Sequence, residues 1–267
     1  MNIRIILSCA AVSVLLTACT CRPEIAIIAH RGFWNCDEAG MAKNSIASLA
    51  MAQKNGFWGS EFDVNMTADG QLIVFHDSSI DGKLIENHTY ADFSEYRLPN
   101  GECIPTLDSY LAQAERKKIM LVMELKPHSS KEVEDKAVES CISQLKEKKL
   151  LKNDRVMFIS FSMNICREFS RLLPGFTVQY LDTDYTASEV YAEGVKGIDS
   201  NYNAFIKEGT GRYDDARSHG MSINAWTVND EEVMQTLIDM KLDQITTDNP
   251  LALRKVIESS GARERID

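Results

Sequence analysis

The sequence predicts an α/β fold, a single-domain TIM (β/α)8 barrel, on two observations. Eight short apolar runs alternate with helical patterns, the mark of parallel βα units, and eight such units favour closure into a barrel. The polar, chemistry-bearing residues stand at the carboxyl ends of many different runs, where a barrel of this kind gathers its function. An open doubly wound sheet is the competing arrangement, but no G-x-G-x-x-G follows the first run.

The strand candidates are 25–29, 59–64, 119–124, 156–159, 176–180, 197–199, 222–226 and 244–246. Helical spacing marks 45–54, 107–117, 131–148, 163–173, 231–240 and 250–257. Thr106 or Asp108 is placed to cap the second helix, Asn229-Asp230 and Asn249 before Pro250 to open the last two. Asp69-Gly70 reads as a tight hairpin turn that brings 72–75 back along the second strand to His76-Asp77. Residues 78–105, with turn signals at Asp81-Gly82 and Pro99-Asn100-Gly101, form a small insertion expected to lie as a flap at the barrel mouth.

The amino terminus carries a separate message. Arg4, an apolar run over 5–16 and Leu16-Thr17-Ala18-Cys19 make a secretory signal too short to span a bilayer comfortably. The last four residues resemble the bacterial lipobox, which implies a signal peptide at 1–18, lipidation of Cys19, a tether at 19–24 and a barrel over 25–267. The expected product is an exported, membrane-anchored lipoprotein, periplasmic or at the cell surface. Acyl chains hold such an anchor at about 0.8 kcal/mol per buried methylene.

Removing the signal leaves 249 residues, since 267 − 18 = 249, close to the ~250 of a single barrel. The formal charge of −10 becomes −11 once Arg4 is gone, which argues against nucleic acid as a partner and against broad adhesion to anionic membranes. Five cysteines remain beyond Cys9 and Cys19: Cys21, Cys36, Cys103, Cys141 and Cys166. Odd in number, scattered and without a C-x-x-C pair, they read as mostly free thiols, with room for one surface bridge.

The strand ends hold the candidate site. Glu61 and Asp63 lie two apart and so share one strand face, while Phe62 and Val64 take the other. Buried side by side, two carboxylates need compensation, and a bound cation is the simplest source of it. With Glu124 from the next strand they make an oxygen-rich cage suited to Mg2+ or Ca2+. His30 and His76 are an acid–base pair for neutral pH, and Arg31 and Lys126 are clamps for a phosphate. Taken singly, each has a structural explanation: a core histidine, an arginine paired to an acid, a packed tryptophan. Together they form the set that phosphoryl transfer requires, because charge gathers on the non-bridging oxygens.

Eight ordered motifs carry a family resemblance: Ile28-Ala29-His30-Arg31-Gly32, Glu61-Phe62-Asp63-Val64, Thr67-Ala68-Asp69-Gly70, Val74-Phe75-His76-Asp77, Ile104-Pro105-Thr106-Leu107, Glu124-Leu125-Lys126, Ala225-Trp226-Thr227-Val228-Asn229 and Thr247-Asp248-Asn249-Pro250. In these the chain resembles the glycerophosphodiester phosphodiesterase family. The resemblance implies a TIM barrel that hydrolyses glycerophosphodiesters to an alcohol and sn-glycerol 3-phosphate. It assigns the divalent cation to Glu61, Asp63 and Glu124, acid–base work to His30 and His76, phosphate binding to Arg31 and Lys126, and the glycerol side to Trp226. It also implies attack by the glycerol's neighbouring hydroxyl, a cyclic phosphate, and opening of that ring by water.

One stretch departs from the family pattern. Ala42-Lys43-Asn44-Ser45 stands where P-E-N-T is usual, so an acid has become Lys43. Asn44 is retained as a substrate-side candidate and as a helix cap, with Lys43 pointing to solvent or favouring an anionic group. The insert at 33–41 is expected to reshape the rim. Two other functions remain open: a phosphodiesterase acting on phospholipid or glycerophosphoinositol, and a non-catalytic lipoprotein that captures glycerol phosphates. Paired histidines beside three carboxylates speak against the second, since mere binding needs no acid–base pair.

Overall fold

The structure, a computed structural model, describes residues 22–207 and 209–266. The signal peptide and Cys19 lie outside the described residues. Eight parallel strands form the barrel: β1 Glu24–Ala29, β2 Gly59–Met66, β3 Met120–Leu125, β4 Val156–Ser160, β5 Val178–Tyr180, β6 Gly197–Asn201, β7 Ser222–Trp226 and β8 Gln244–Thr247. Each pairs with the next, and β1 pairs with both β8 and β2, which closes the ring. The strand alternation is visible along β1. Ile25, Ile27 and Ala29 face the helical layer, whereas Ala26 and Ile28 join Val122, Met157, Ile159 and Leu181 in the barrel interior.

The helices are α1 Ile46–Asn55, α2 Leu107–Ala114, α3 Lys131–Glu147, α4 Met163–Leu172, α5 Ala187–Ala192, α6 Asn203–Ile206, α7 Gly211–Ser218, α8 Glu231–Asp239 and α9 Pro250–Ser260. The apolar spacing finds six of them to within a few residues at each end. It misses α5, α6 and α7 because they are short and bury few side chains; α7 buries only Ala216. Caps fall where expected at Thr106, whose hydroxyl accepts from the Ser109 amide, and at Asp230, whose carboxylate accepts from Glu232 and Val233. Asn249 precedes Pro250 as expected, but its side chain makes no cap bond and accepts instead from Asn35. The α1 cap is Ser45, whose hydroxyl accepts from the Ser48 amide, so Asn44 is not the cap that the sequence suggested. A further short strand, Arg263–Arg265, adds beside β1 outside the ring. Its charged, mostly exposed residues hide it from an apolar scan.

The hairpin after β2 forms as its turn residues require. Val64, Asn65 and Met66 pair antiparallel with Val74, Ile73 and Leu72, and the Thr67 hydroxyl donates to Asp69 at 2.5 Å. The insertion at 78–105 contains a second hairpin, Ser79–Ile80 with Lys83–Leu84. Its two turn residues, Asp81 and Gly82, both have positive φ (49° and 78°). Ile80, Ile85, Phe93 and Ile104 pack with Ile73 in a small core of their own. Glu102 then ties the insertion to the barrel, accepting from the Ile46 and Ala47 amides at the α1 amino terminus. Cys36, Cys103, Cys141 and Cys166 are free thiols, as expected. No described helix is long and apolar enough to cross a membrane.

Candidate active site

Glu61 and Asp63 project from β2 into the barrel mouth, and the β2–β3 register sets Asp63 opposite Glu124. Carboxylate oxygens of all three lie within 4.8 Å of one another, and all three residues are buried. Two cations are held against them. The Lys126 ammonium lies 2.9 Å from Asp63 Oδ1 and 2.5 Å from Glu124 Oε1. The Arg31 Nε is 3.4 Å from Asp63 Oδ2, near enough for charge attraction but not aligned as a hydrogen bond.

The HRG segment that follows β1 is shaped for this contact. Arg31 and Gly32 both take positive φ (56° and 78°), which turns the Arg31 N–H onto Glu61 Oε2 at 2.7 Å. A Cβ on Gly32 would fall 2.3 Å from Ser48 Oγ, so the close crossing with α1 admits only glycine. Asn44, also at positive φ, donates from Nδ2 to Asp63 Oδ2 (2.8 Å) and accepts from the Asp63 amide (3.2 Å). Its amide is therefore engaged behind the acid rather than turned to a phosphate. Lys43 beside it is exposed, with its ammonium 4.4 Å over the Trp34 ring.

These partners drive the three acids apart in proton affinity. Burial, then the neighbouring charges of Asp63 and Glu124, push Glu61 well above the usual carboxylate range, against the pull of Arg31. Burial and Asp63 likewise raise Glu124 to about 7, with Lys126 opposing. Asp63 goes the other way: burial is outweighed by Lys126, Arg31 and His76 and by the Asn44 hydrogen bond, which bring it to about 2. Glu61 Oε1 is buried without a hydrogen-bond partner. An all-oxygen donor set with one orphaned atom suits a hard divalent cation.

Each histidine is backed by a carboxylate. His30 Nδ1 lies 2.8 Å from Asp248 Oδ1, which leaves Nε2 facing the mouth, 4.0 Å from Glu61 Oε2. Asp248 is itself held by the Trp34 indole N–H (3.0 Å) and by Asn229 Nδ2 (2.8 Å). Those bonds and His30 keep its carboxyl well below the usual range despite burial. His76 Nδ1 lies 2.6 Å from Asp77 Oδ1. Burial, then the Lys126 charge, lower the His76 pKa, while Asp63 and the Asp77 bond partly restore it.

One cavity collects the set. Its walls include His30, Arg31, Glu61, His76, Glu124, Lys126 and Trp226. Its volume, open mouth included, is about 550 Å3. A second groove shares Arg31 and His76 and is bounded by Lys43, Asn44, Tyr96, Leu98 and Pro99, which puts the insertion at the rim where a flap was expected. The sequence left Asp248, Asp77, Asn229 and Trp34 without roles. Asp248 stood in a strand-end motif and Asp77 beside a candidate histidine; Trp34 lay in the rim insert with no signal of its own.

A (β/α)8 barrel whose mouth carries a three-acid cluster, two cationic clamps and two carboxylate-backed imidazoles has the parts of a phosphodiester hydrolase. The chain belongs to the glycerophosphoryl diester phosphodiesterase family, which matches residues 30–252. It is 39% identical to a glycerophosphodiester phosphodiesterase from Parabacteroides distasonis of known crystal structure, with a TM-score of 0.85 over 90% of this chain and 99% of that one. A glycerophosphodiester phosphodiesterase of Bacillus subtilis is 29% identical over 264 residues, covering 87% of this chain and 86% of its own length. A phosphodiesterase of Oleispira antarctica, solved with sn-glycerol-3-phosphate as product, shares the fold at a TM-score of 0.74 and 24% identity, covering 89% of this chain and 97% of that one.

Proposed function

We propose that this mouth hydrolyses glycerophosphodiesters to an alcohol and sn-glycerol 3-phosphate. The single observation that carries the assignment is the meeting of both carboxylate-backed histidines, Glu61 and Glu124 around one cavity, with Asp63 completing the acid cluster beside them. Glu61, Asp63 and Glu124 would hold a divalent cation, Mg2+ or Ca2+, which when bound would supply Lewis-acid stabilisation of developing negative charge. Arg31 and Lys126 take the non-bridging oxygens, exchanging part of their hold on Asp63 and Glu124 for the ester. His76, whose pKa burial lowers, accepts the proton of the attacking glycerol hydroxyl as its oxygen bonds to phosphorus. His30 delivers a proton to the departing alcohol oxygen as that P–O bond breaks, and Asp248 keeps its Nδ1 occupied so that Nε2 faces the ester. The cyclic ester is opened by water with the two proton transfers reversed. Trp226 lines the glycerol side.

The purified full-length chain in detergent tests this directly. Glycerophosphocholine and glycerophosphoethanolamine should yield glycerol phosphate, chelation should abolish turnover, and Mg2+ or Ca2+ should restore it. Glu61→Gln should lower cation affinity roughly tenfold or more. A variant with full activity and unchanged cation dependence would remove Glu61 from the cage.

The export proposal rests on the amino-terminal sequence alone. Labelled fatty acid should enter the mature protein and be lost in Cys19→Ala, together with membrane association. A soluble, unlabelled wild-type protein would overturn it.

A further inference from the structure

One buried acid of the same cavity has no part in the chemistry above. Asp199, in β6, is 1% exposed and lines the cavity with Glu124, Thr246 and Trp226. Its Oδ1 has no hydrogen-bond partner. Buried polar atoms are rarely left so unless something outside the chain completes them. The surroundings say what that is. Ile159, Phe161 and Leu181 give apolar contact, and the Trp226 ring stands edge-on to Phe161 at 5.6 Å. The indole N–H donates to the Asp199 main-chain carbonyl at 3.0 Å, which fixes the ring beside this acid. Asn224 Nδ2 donates to Thr246 Oγ1 at 2.8 Å.

Resting on the function proposed above, we infer that Asp199 recognises a free hydroxyl of the substrate's glycerol unit and sets the preference for glycerol over shorter diols. The phosphate has its own partners in Arg31 and Lys126, whereas this part of the cavity combines carbon-contacting walls with one acid whose Oδ1 has no partner. Burial, then the charge on Glu124, raise the Asp199 pKa well above the carboxylate range, against the Asn224 hydrogen bond. With Oδ1 open to the cavity, the carboxyl can bond a substrate hydroxyl in either protonation state, accepting from it when ionised and donating to it or accepting from it when neutral. A site built to bond a hydroxyl strongly rejects the analogue lacking it, because its own polar group is then stranded.

The test compares glycerophosphoethanolamine with its 2-hydroxyethyl counterpart, which keeps the neighbouring hydroxyl but lacks the terminal hydroxymethyl group. In kcat/KM, wild type should prefer the glycerol ester roughly 100-fold. Asp199→Leu should bring this preference to within about threefold, the larger loss falling on the glycerol ester. Asp199→Asn, which keeps a donor and an acceptor, should retain most of it. If Asp199→Leu fails to fold, Asp199→Ala is measured on the same ratio. An unchanged ratio in the leucine or alanine variant, no preference in wild type, or equal losses on both esters in every variant overturns the role of Asp199. Wild type inactive on both esters overturns the hydrolase assignment itself, and this role with it; activity with an unaltered ratio overturns this role alone.

Discussion

The two histidine–carboxylate pairs at the mouth share a chemistry and differ in everything that holds them. His30 meets Asp248 across 218 residues of sequence, and its side chain is 16% exposed. Trp34 and Asn229 fix that carboxylate from two further segments. His76 meets its own neighbour, Asp77, and the two side chains are 41% and 69% exposed. The first pair is assembled by closure of the barrel, since β1 and β8 must lie side by side to bring His30 and Asp248 together. The second needs only the local turn after the hairpin. A charge-assisted bond in a water-poor setting orients a ring strongly, while the same bond in solvent competes with water.

Removing either imidazole should erase the difference. His30→Ala and His76→Ala should each lower kcat by ~100- to 10,000-fold with the cation still bound, measured by steady-state assay and calorimetry. A histidine whose loss leaves kcat within a few-fold has no proton to move. Asp248→Asn probes the buried pair. At about 1.5–3 kcal/mol for a hydrogen bond to a charged group, kcat should fall roughly 10- to 100-fold, with little further loss when His30 is already Ala. Additive losses in that double mutant would show that Asp248 acts elsewhere.

Asp77→Asn probes the exposed pair, and its effect should stay within about fivefold, as for an exposed ion pair of ~0–1 kcal/mol. Its sharper sign is in the pH profile. The Asp77 bond raises the His76 pKa, so removing it should move the acid limb of kcat/KM to lower pH. A limb that moves to higher pH would reverse the assigned direction. Should Asp77→Asn cost as much as Asp248→Asn, the contrast between tertiary and local support would be wrong.

The legible parts of the site were those written within single strands. Glu61 and Asp63 share a face because strand side chains alternate: both reach the three-acid cluster, while Phe62 and Val64 pack into the main apolar core. Six helices and all eight barrel strands were visible because each repeats its apolar residues with a regular period. What stayed hidden lacked such a period: α5 to α7, and the Arg263–Arg265 strand. Asn44 shows a different failure. Its position before α1 suits a cap, yet its left-handed backbone turns the amide onto Asp63 and leaves capping to Ser45.

By itself, then, the sequence determined the eightfold alternation, the motif order and the residue types gathered at the strand ends, because periodicity and turn chemistry act over a few residues. Only the tertiary structure decided that Asp248 stands behind His30, that Lys126 bridges Asp63 and Glu124, and that Asp199 lies in the same cavity. Those contacts join β1 to β8, β2 to β3 and β6 to β7. The β1–β8 pairing exists only once the barrel has closed, and the other two only once successive βα units have packed side by side.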